Sequence, residues 1–342
     1  MKILVTGGLG FIGSHTVVEL QNNGHDVFII DNCSNSSIAV LDGITNITGI
    51  RPVFEKFDLR DKALVSDFFK KHTDIESVIH FAASKAVGES ITNPLLYYEN
   101  NVGTLVYLLQ QLSHKERSSF IFSSSCTVYG QADSLPITEN APVKPALSPY
   151  GNTKQIGEEV IRDTCAVTPN LQAISLRYFN PIGAHPSVEI GELPLGVPQN
   201  LIPYITQTAI GLREQLSVFG DTYDTPDGTA IRDYIHVVDL AKAHVVALER
   251  LMDNKNTSNY EVFNIGTGNG KSVLEVINSF EKATQQSLNY KIVEKRDGDV
   301  TAAYADTAKA NDVLGWQAQS SLDDALASAW DWEKKVRQEK KK

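Results

Sequence analysis

Cysteine is scarce in this chain: three residues, Cys33, Cys126 and Cys165, among 342. They are odd in number and lack metal-ligand spacing, which argues against a disulfide framework or a thiolate metal centre and fits reduced thiols in a cytosolic compartment. No apolar run approaches the ~20 residues that a membrane helix needs. The opening stretch Met1-Lys2-Ile3-Leu4-Val5-Thr6 passes at once into glycines, too short for the apolar core of a secretory signal. The sequence is therefore expected to act in the cytoplasm, away from membranes. Positive charge is also in deficit. The 31 Lys and Arg against 41 Asp and Glu leave a net charge of −10, which argues against a nucleic-acid surface. The basic run Lys340-Lys341-Lys342 reads as a solvated, frayed helix end. Repeats and low-complexity tracts are not evident.

What the chain does contain is an ordinary globular composition, 42% hydrophobic and 21% charged, long enough for one large or two modest domains. Short apolar runs at Lys2–Thr6, Asp26–Ile30, Pro52–Lys56, Ser77–His80 and Phe120–Ser123 read as buried strands. Amphipathic stretches at Ile12–Asn22, Lys62–Lys71 and Val102–Ser113 alternate with them. This order predicts an α/β fold: a doubly wound parallel sheet with helices on both faces and right-handed crossovers. From about residue 181 the pattern changes to loops and mixed short elements, with helices near Leu201–Leu212, Val238–Met252 and Ser272–Thr284 and a strand near Leu216–Phe219. Residues 1–180 are assigned to a first domain and 181–342 to a smaller mixed α/β domain that caps it. Ile231–His236 and Tyr260–Ile265 are candidates to return to the first sheet.

The first strand ends in Gly7-Gly8-Leu9-Gly10-Phe11-Ile12-Gly13, and the first helix follows directly. Gly7, Gly10 and Gly13 are spaced to allow a tight turn, a close backbone approach to a pyrophosphate, and close packing of helix on sheet. The free N–H groups of the helix start then face an anion, as in Rossmann dinucleotide sites. The second strand leads into Asp31, 18 positions after Gly13. A carboxylate there accepts from ribose hydroxyls and repels a 2′-phosphate, so NAD is favoured over NADP. Asp58-Leu59 and Phe81-Ala82-Ala83-Ser84-Lys85 follow the third and fourth strands and are expected to complete the crevice at the carboxyl edge of the sheet.

The fifth strand runs into Ser123-Ser124-Ser125-Cys126-Thr127-Val128-Tyr129-Gly130, and a helix is predicted from Pro149. On that helix Tyr150 and Lys154 are four residues apart and share a face. An ammonium beside a phenol stabilises the phenolate, which makes Tyr150 a candidate general base, with a serine hydroxyl to share the proton path. A Tyr-x-x-x-Lys pair alone is common by chance. Its order after a glycine loop and a serine strand is specific.

At this point the sequence resembles the extended short-chain dehydrogenases/reductases, and within them the UDP-hexose 4-epimerases. The resemblance extends over nearly the whole chain, through His80-Phe81-Ala82-Ala83, Lys85–Ser90, Asn100-Asn101-Val102, Arg177–Pro186 and Arg232–Val237. It implies Tyr150 as base, Lys154 as its partner and ribose ligand, and Ser125 as assisting hydroxyl. It further implies an NAD site of Gly7, Gly10, Phe11, Ile12, Gly13, Asp31, Asn32, Cys33, Ser34, Asn35, Ser36, Asp58, Leu59, Phe81, Ala82, Ala83, Ser84, Lys85, Asn100, Ser125, Tyr150, Lys154 and Phe179. The UDP-hexose would meet Lys85, Ser125, Thr127, Tyr150, Tyr178, Asn180, Asn200, Leu201, Val218, Phe219, Arg232, Arg296, Asp299 and Ala303. Arg232 and Arg296 are forked donors suited to a diphosphate. No metal is expected. A homodimer through the helices Val102–Ser113 and Pro149–Cys165 is the family habit.

The related dehydratases carry acidic residues just after the serine or threonine, and the decarboxylases keep a glutamate there. Here Cys126 and Thr127 occupy those places and supply no carboxylate, which favours interconversion of UDP-glucose and UDP-galactose by transient oxidation at C4. Some epimerases restricted to simple hexoses place a tyrosine where Ala303 falls, so the N-acetylated pair UDP-GlcNAc and UDP-GalNAc is also a candidate substrate, or even the main one. Other readings are a different NAD-dependent enzyme acting on sugar nucleotides, an ordinary dehydrogenase that exchanges its cofactor, or a non-catalytic sensor.

Overall fold

The computed structural model describes residues 1–296 and 299–339, so the Lys340–Lys342 run lies outside the described residues. Strand β1 (Lys2–Thr6) shows why the first strands read as unbroken apolar runs. Its Ile3 and Val5 belong to the core on one face of the sheet, while Leu4 belongs to the core on the other. A strand covered on both faces has no polar side to alternate. The chain then winds through α1 (Phe11–Asn22), β2 (Asp26–Asp31), α2 (Val40–Thr48), β3 (Val53–Lys56), α3 (Lys62–Lys71), β4 (Ser77–His80), α4 (Thr104–Leu112), β5 (Ser118–Ser125), α5 (Pro149–Val167) and β6 (Leu171–Tyr178).

After β6 the chain builds β7 (Asn180–Ile182), α6 (Leu201–Ala209), β8 (Leu216–Phe219), β9 (Ile231–His236) and α7 (Val237–Met252). Strand β10 (Tyr260–Ile265) then returns beside β6, and β11 (Gly270–Ser272), α8 (Val273–Thr284), β12 (Tyr290–Val293), β13 (Ala302–Ala303) and α9 (Leu322–Glu339) follow. The main sheet has seven parallel strands in the order β10-β6-β5-β4-β1-β2-β3. The expected doubly wound α/β architecture is thus present.

Of the two candidate returns, only Tyr260–Ile265 joins this sheet. Ile231–His236 instead pairs in parallel with β7 and β13 and antiparallel with β11, forming a separate small sheet. The two sheets are tied by Asp233, which is fully buried. Its carboxylate accepts from Thr267 N at 2.9 Å and Thr267 Oγ1 at 2.6 Å, just beyond β10, and from Gly268 N and Ala305 N at 3.1 Å.

Several elements departed from the sequence expectation, strand β6 and helix α9 among those without a counterpart in it. Helix α2 was not anticipated, since nine residues containing Gly43 and four β-branched threonines or isoleucines are a poor helix signal alone. It is held by packing, with Leu41 and Ile44 in the core. The helix expected from Val102 starts at Thr104, because Tyr98–Gly103 forms a π-helical turn. Such turns are frequent at functional sites.

Candidate active site

The glycine loop between β1 and α1 is compressed against the loop that follows β4. Gly7 has φ of +68°, and a Cβ there would lie 2.7 Å from the Ala82 nitrogen. A Cβ on Gly13 would lie 2.3 Å from the Gly7 carbonyl oxygen. Helix α1 has no side-chain cap, so its first-turn N–H groups are open to an anion. Asp31 accepts from Leu9 N at 3.1 Å, and its other oxygen accepts from Cys33 N at 2.8 Å and Ser36 Oγ at 2.9 Å. One carboxylate therefore joins the glycine loop to the Asn32–Ser36 loop, with lone pairs remaining for ribose hydroxyls. A cradle that excludes a Cβ, an uncapped helix start and an acid at the next strand end fit a dinucleotide.

Asp58 is less free than the sequence suggests. Arg60 Nη2 and Nε clasp it at 2.9 and 3.1 Å, and Asn32 Nδ2 donates at 3.0 Å. The Arg60 fork, foremost, holds its pKa at about 2, so it offers a charged acceptor at the rim. Within the fourth loop, Ser84 N donates to Asn101 Oδ1 at 2.8 Å, and Asn100 Nδ2 donates to Ser84 Oγ at 3.0 Å. Asn101 Nδ2 returns a bond to the Ser84 carbonyl at 3.0 Å and reaches Thr153 Oγ1 on α5 at 3.1 Å. The sequence assigns no role to Asn101. Its place in the π-helical turn makes it the clamp between the Phe81–Lys85 loop and the helix bearing Tyr150.

Strand β5 delivers Ser125 to the same edge, where Ser125 Oγ accepts from Thr127 N at 3.2 Å. Helix α5 starts beside it, with Ser148 as N-cap and Pro149 in the first turn. Tyr150 and Lys154 share the inward face as expected. The electrostatics differ from the expectation. Lys154 Nζ donates to the Ser123 carbonyl at 2.6 Å and lies 5.8 Å from the Tyr150 ring centre. Burial pushes its pKa down to about 8, partly opposed by Glu158. Burial also pushes the Tyr150 phenol well above its usual value, with the neighbouring Tyr178 adding to the rise and the Ser125 hydroxyl opposing it. The lowered phenol pKa expected from Lys154 is therefore not met within the polypeptide, because loss of hydration outweighs a cation facing the ring. Cys126 is neutral, its thiol pushed up to about 11 by burial. The Thr127 hydroxyl is buried with no partner among the described residues.

The remaining predicted residues fall into two groups. Tyr178 and Phe179 are buried at the end of β6. The Tyr178 hydroxyl hydrogen-bonds Ser123 Oγ, and Phe179 packs in a cluster with Val128, Tyr129 and Ile137. Asn180 starts β7 opposite Tyr234. Val218 is buried, and the Arg296 guanidinium stacks 3.6 Å from the centre of the Phe219 ring. Arg232 Nη2 lies 3.6 Å from Asp299 Oδ1, and Ala303 is opposite Arg232 in register. Asn200, the N-terminal neighbour of Leu201 on α6, donates from Nδ2 to Glu192 Oε1 at 2.7 Å, and Lys85 Nζ lies 3.6 Å from the same oxygen. Glu192 was not anticipated. Helix α9 fixes its loop: Trp332 Nε1 donates to the Glu192 carbonyl at 2.9 Å, and a Cβ on Gly191 would lie 2.6 Å from the indole. Tyr223 was also missed. Its buried hydroxyl has no partner among the described residues, and burial followed by Asp299 raises its pKa, against Arg232 and Arg296.

A family profile described as GDP-mannose 4,6 dehydratase matches residues 4–329. A UDP-glucose 4-epimerase of Haemophilus influenzae is 48% identical over 334 residues, spanning 98% of this chain and 98% of the relative. Among solved structures, a UDP-glucose-4-epimerase from Stenotrophomonas maltophila with bound NAD and formylated UDP-arabinopyranose is similar with a TM-score of 0.94 and 45% identity, covering 99% of each chain. A UDP-glucose 4-epimerase from Bifidobacterium longum in complex with NAD+ and UDP is similar with a TM-score of 0.93 and 46% identity, covering 98% of this chain and 99% of its own.

The contact between Gly13 and Gly7 sets an expectation. Gly13→Ala forces the loop open, costs about 1–3 kcal/mol as overpacking, and abolishes dinucleotide retention. A melting curve and the absorbance of released dinucleotide measure both. A variant that keeps its dinucleotide would show that the compression is not required.

Proposed function

The chain belongs to the extended short-chain dehydrogenase/reductase epimerases, and we infer that it interconverts UDP-glucose and UDP-galactose with NAD in the crevice lined by Gly7–Gly13. One observation carries this reading beyond the family: Ser125, Tyr150 and Lys154 meet at the carboxyl edge of the sheet while the two positions after Ser125 hold no carboxylate. The first step, C4 oxidation, is common to epimerases and dehydratases. Elimination of water afterwards needs an acid and a base, and neutral Cys126 and Thr127 provide neither.

In this reading residues 1–180, with the returning strand β10, serve chiefly the cofactor, and the rest of 181–342 chiefly the UDP-sugar. Gly7, Gly10, Phe11, Ile12 and Gly13 receive the pyrophosphate, and Asp31 the adenine ribose. Arg232 and Arg296 hold the substrate diphosphate. Phe219 beneath Arg296 keeps that guanidinium flat and immobile. Tyr150 removes the proton of the 4-hydroxyl, and Ser125 orients that hydroxyl. When bound, NAD supplies reversible oxidation at C4 and a positive charge beside Tyr150. Lys154 contributes its own charge to the phenolate. The 4-keto sugar would turn over while its diphosphate stays held; the hydride taken from C4 would come back to the opposite face of that carbon, and Tyr150 would return the proton to the C4 oxygen, so that no net redox occurs.

Incubation with UDP-galactose tests this. The expected product has unchanged mass and a different sugar, whereas loss of water identifies a dehydratase. Tyr150→Phe is expected to lower kcat by about 10²–10⁴-fold, the usual worth of a general base, with NAD still bound. Full activity in that variant refutes the assignment.

Substrate breadth follows from β13. Ala303 and Cys126 both pack against the Phe179 cluster, while the next residue, Tyr304, lies against Gly270, where a Cβ would come within 2.8 Å of its ring. The small residue thus lies on the side of the Phe179 cluster and the bulky one on the side of Gly270, which supports acceptance of the N-acetylated pair. Ala303→Tyr is expected to abolish turnover of UDP-GlcNAc while sparing UDP-glucose. Absence of UDP-GlcNAc turnover in the unmodified chain overturns this breadth.

The enzyme is read as a cytoplasmic homodimer. All three cysteines are free, and no described helix is long and apolar enough to cross a membrane. Ile91 and Leu95, 62% and 79% exposed, stand on the segment that leads into α4, as a surface awaiting a second copy. Light scattering should give twice the chain mass, and a single-chain mass refutes the dimer.

A further inference from the structure

The groups assigned to the reaction stand on separate elements, Ser125 at the end of β5 and Tyr150 and Lys154 on α5. A buried polar network joins these elements just behind the site. Glu158 lies one turn beyond Lys154. Its Oε1 accepts from Ser124 Oγ at 2.5 Å and from Arg177 Nε at 2.9 Å, and its Oε2 accepts from Arg177 Nη2 at 2.5 Å. Arg177 Nη1 donates to Tyr129 Oη at 2.9 Å, and Tyr129 Oη donates to Asn264 Oδ1 on β10 at 2.6 Å. All five residues are buried, and Ser124 is wholly so.

Apolar side chains would join a helix to a strand without the desolvation cost of an ion pair. What the ion pair adds is direction. A carboxylate that accepts a guanidinium fork on one side and a hydroxyl on the other permits one register of helix against strand. Ser124 precedes Ser125 in the chain, Glu158 follows Lys154 by one turn, and Tyr129 closes the turn that holds Cys126 and Thr127. We propose that Glu158 is a positioning residue for the reaction: by clamping Ser124 and Arg177 it fixes α5 against β5, and with it the placement of Tyr150 and Lys154 relative to Ser125. This rests on the assignment of Tyr150 as base given above.

Glu158 also acts on Lys154 through charge. The groups facing the Lys154 ammonium are the Ser123 carbonyl on β5, Tyr150 and Glu158 on α5, and His80 on β4, which burial keeps neutral with its pKa at about 3. Glu158 is the carboxylate among them, and it favours the charged amine. Removing it lowers the pH at which Lys154 loses its proton.

Two variants of the NAD-loaded enzyme test the proposal. Ser124→Ala removes one clamp without leaving a buried charge, and is expected to lower kcat about tenfold, with KM changed less than about threefold and NAD retained, as misplaced reacting groups do. Glu158→Gln is expected to lower kcat further and to move the alkaline limb of the kcat–pH profile toward lower pH. Wild-type kcat and pH profile in both, with only the melting temperature reduced, overturns the proposal. If Glu158→Gln does not fold, kcat of Ser124→Ala decides. Turnover surviving in Tyr150→Phe removes the base assignment itself. An inactive Tyr150→Phe beside normal Ser124→Ala and Glu158→Gln removes only the positioning role.

Discussion

The seven strands of the main sheet all run in one direction, and the rest of the site depends on that. Every strand then ends at the same edge, so Gly7, Asp31, Asp58, Phe81, Ser125 and Phe179 are brought together from six separate stretches of sequence. Parallel strands need crossovers, and the crossovers place helix starts at this edge. Two of those helices are used differently. Helix α1 begins without a side-chain cap and offers its backbone N–H groups. Helix α5 begins with a capped turn and offers Tyr150 and Lys154. In the proposed reading the same edge receives an anion and presents a base.

Electrostatics at that edge are decided by burial more than by pairing. The ammonium of Lys154 is pushed down to about 8, so it still carries its charge near neutral pH. The phenol of Tyr150 moves in the direction opposite to what a general base needs. A buried phenol beside a cation remains a poor base until more positive charge arrives. The epimerase reading makes sense of this, since the charge would arrive with the cofactor, and Tyr150 stays protonated before then.

Much of this was legible in the sequence, and the reasons are specific. The strand–glycine–helix order gave the dinucleotide edge because glycine is forced where a Cβ would strike Ala82 or Gly7. Tyr150 and Lys154 were legible because four residues on a helix make one face. The fate of Ile231–His236 was not legible: a short apolar strand says nothing about which sheet accepts it, and here Asp233 and the partners β7, β11 and β13 decide. Asn101, Glu192 and Tyr223 were missed because their roles come from contacts across 17 to 140 positions of chain or from orphaned hydroxyls that no spacing reveals. Glu158 was within reach, as the residue one turn after Lys154 on the helix, but only Arg177 from β6 gives it a task.

The stapling of Gly191 and Glu192 by Trp332 has a temporal side. A ribosome delivers the glycine loop, Ser125 and Tyr150 early, and the loop that carries Glu192 soon afterwards. The indole that shapes this loop emerges 140 residues later than the carbonyl it binds. Contacts with such separation form late, because chain closure must come first. During synthesis the loop that carries Glu192 therefore exists as chain long before it has its finished shape, which it acquires only once helix α9 has left the ribosome.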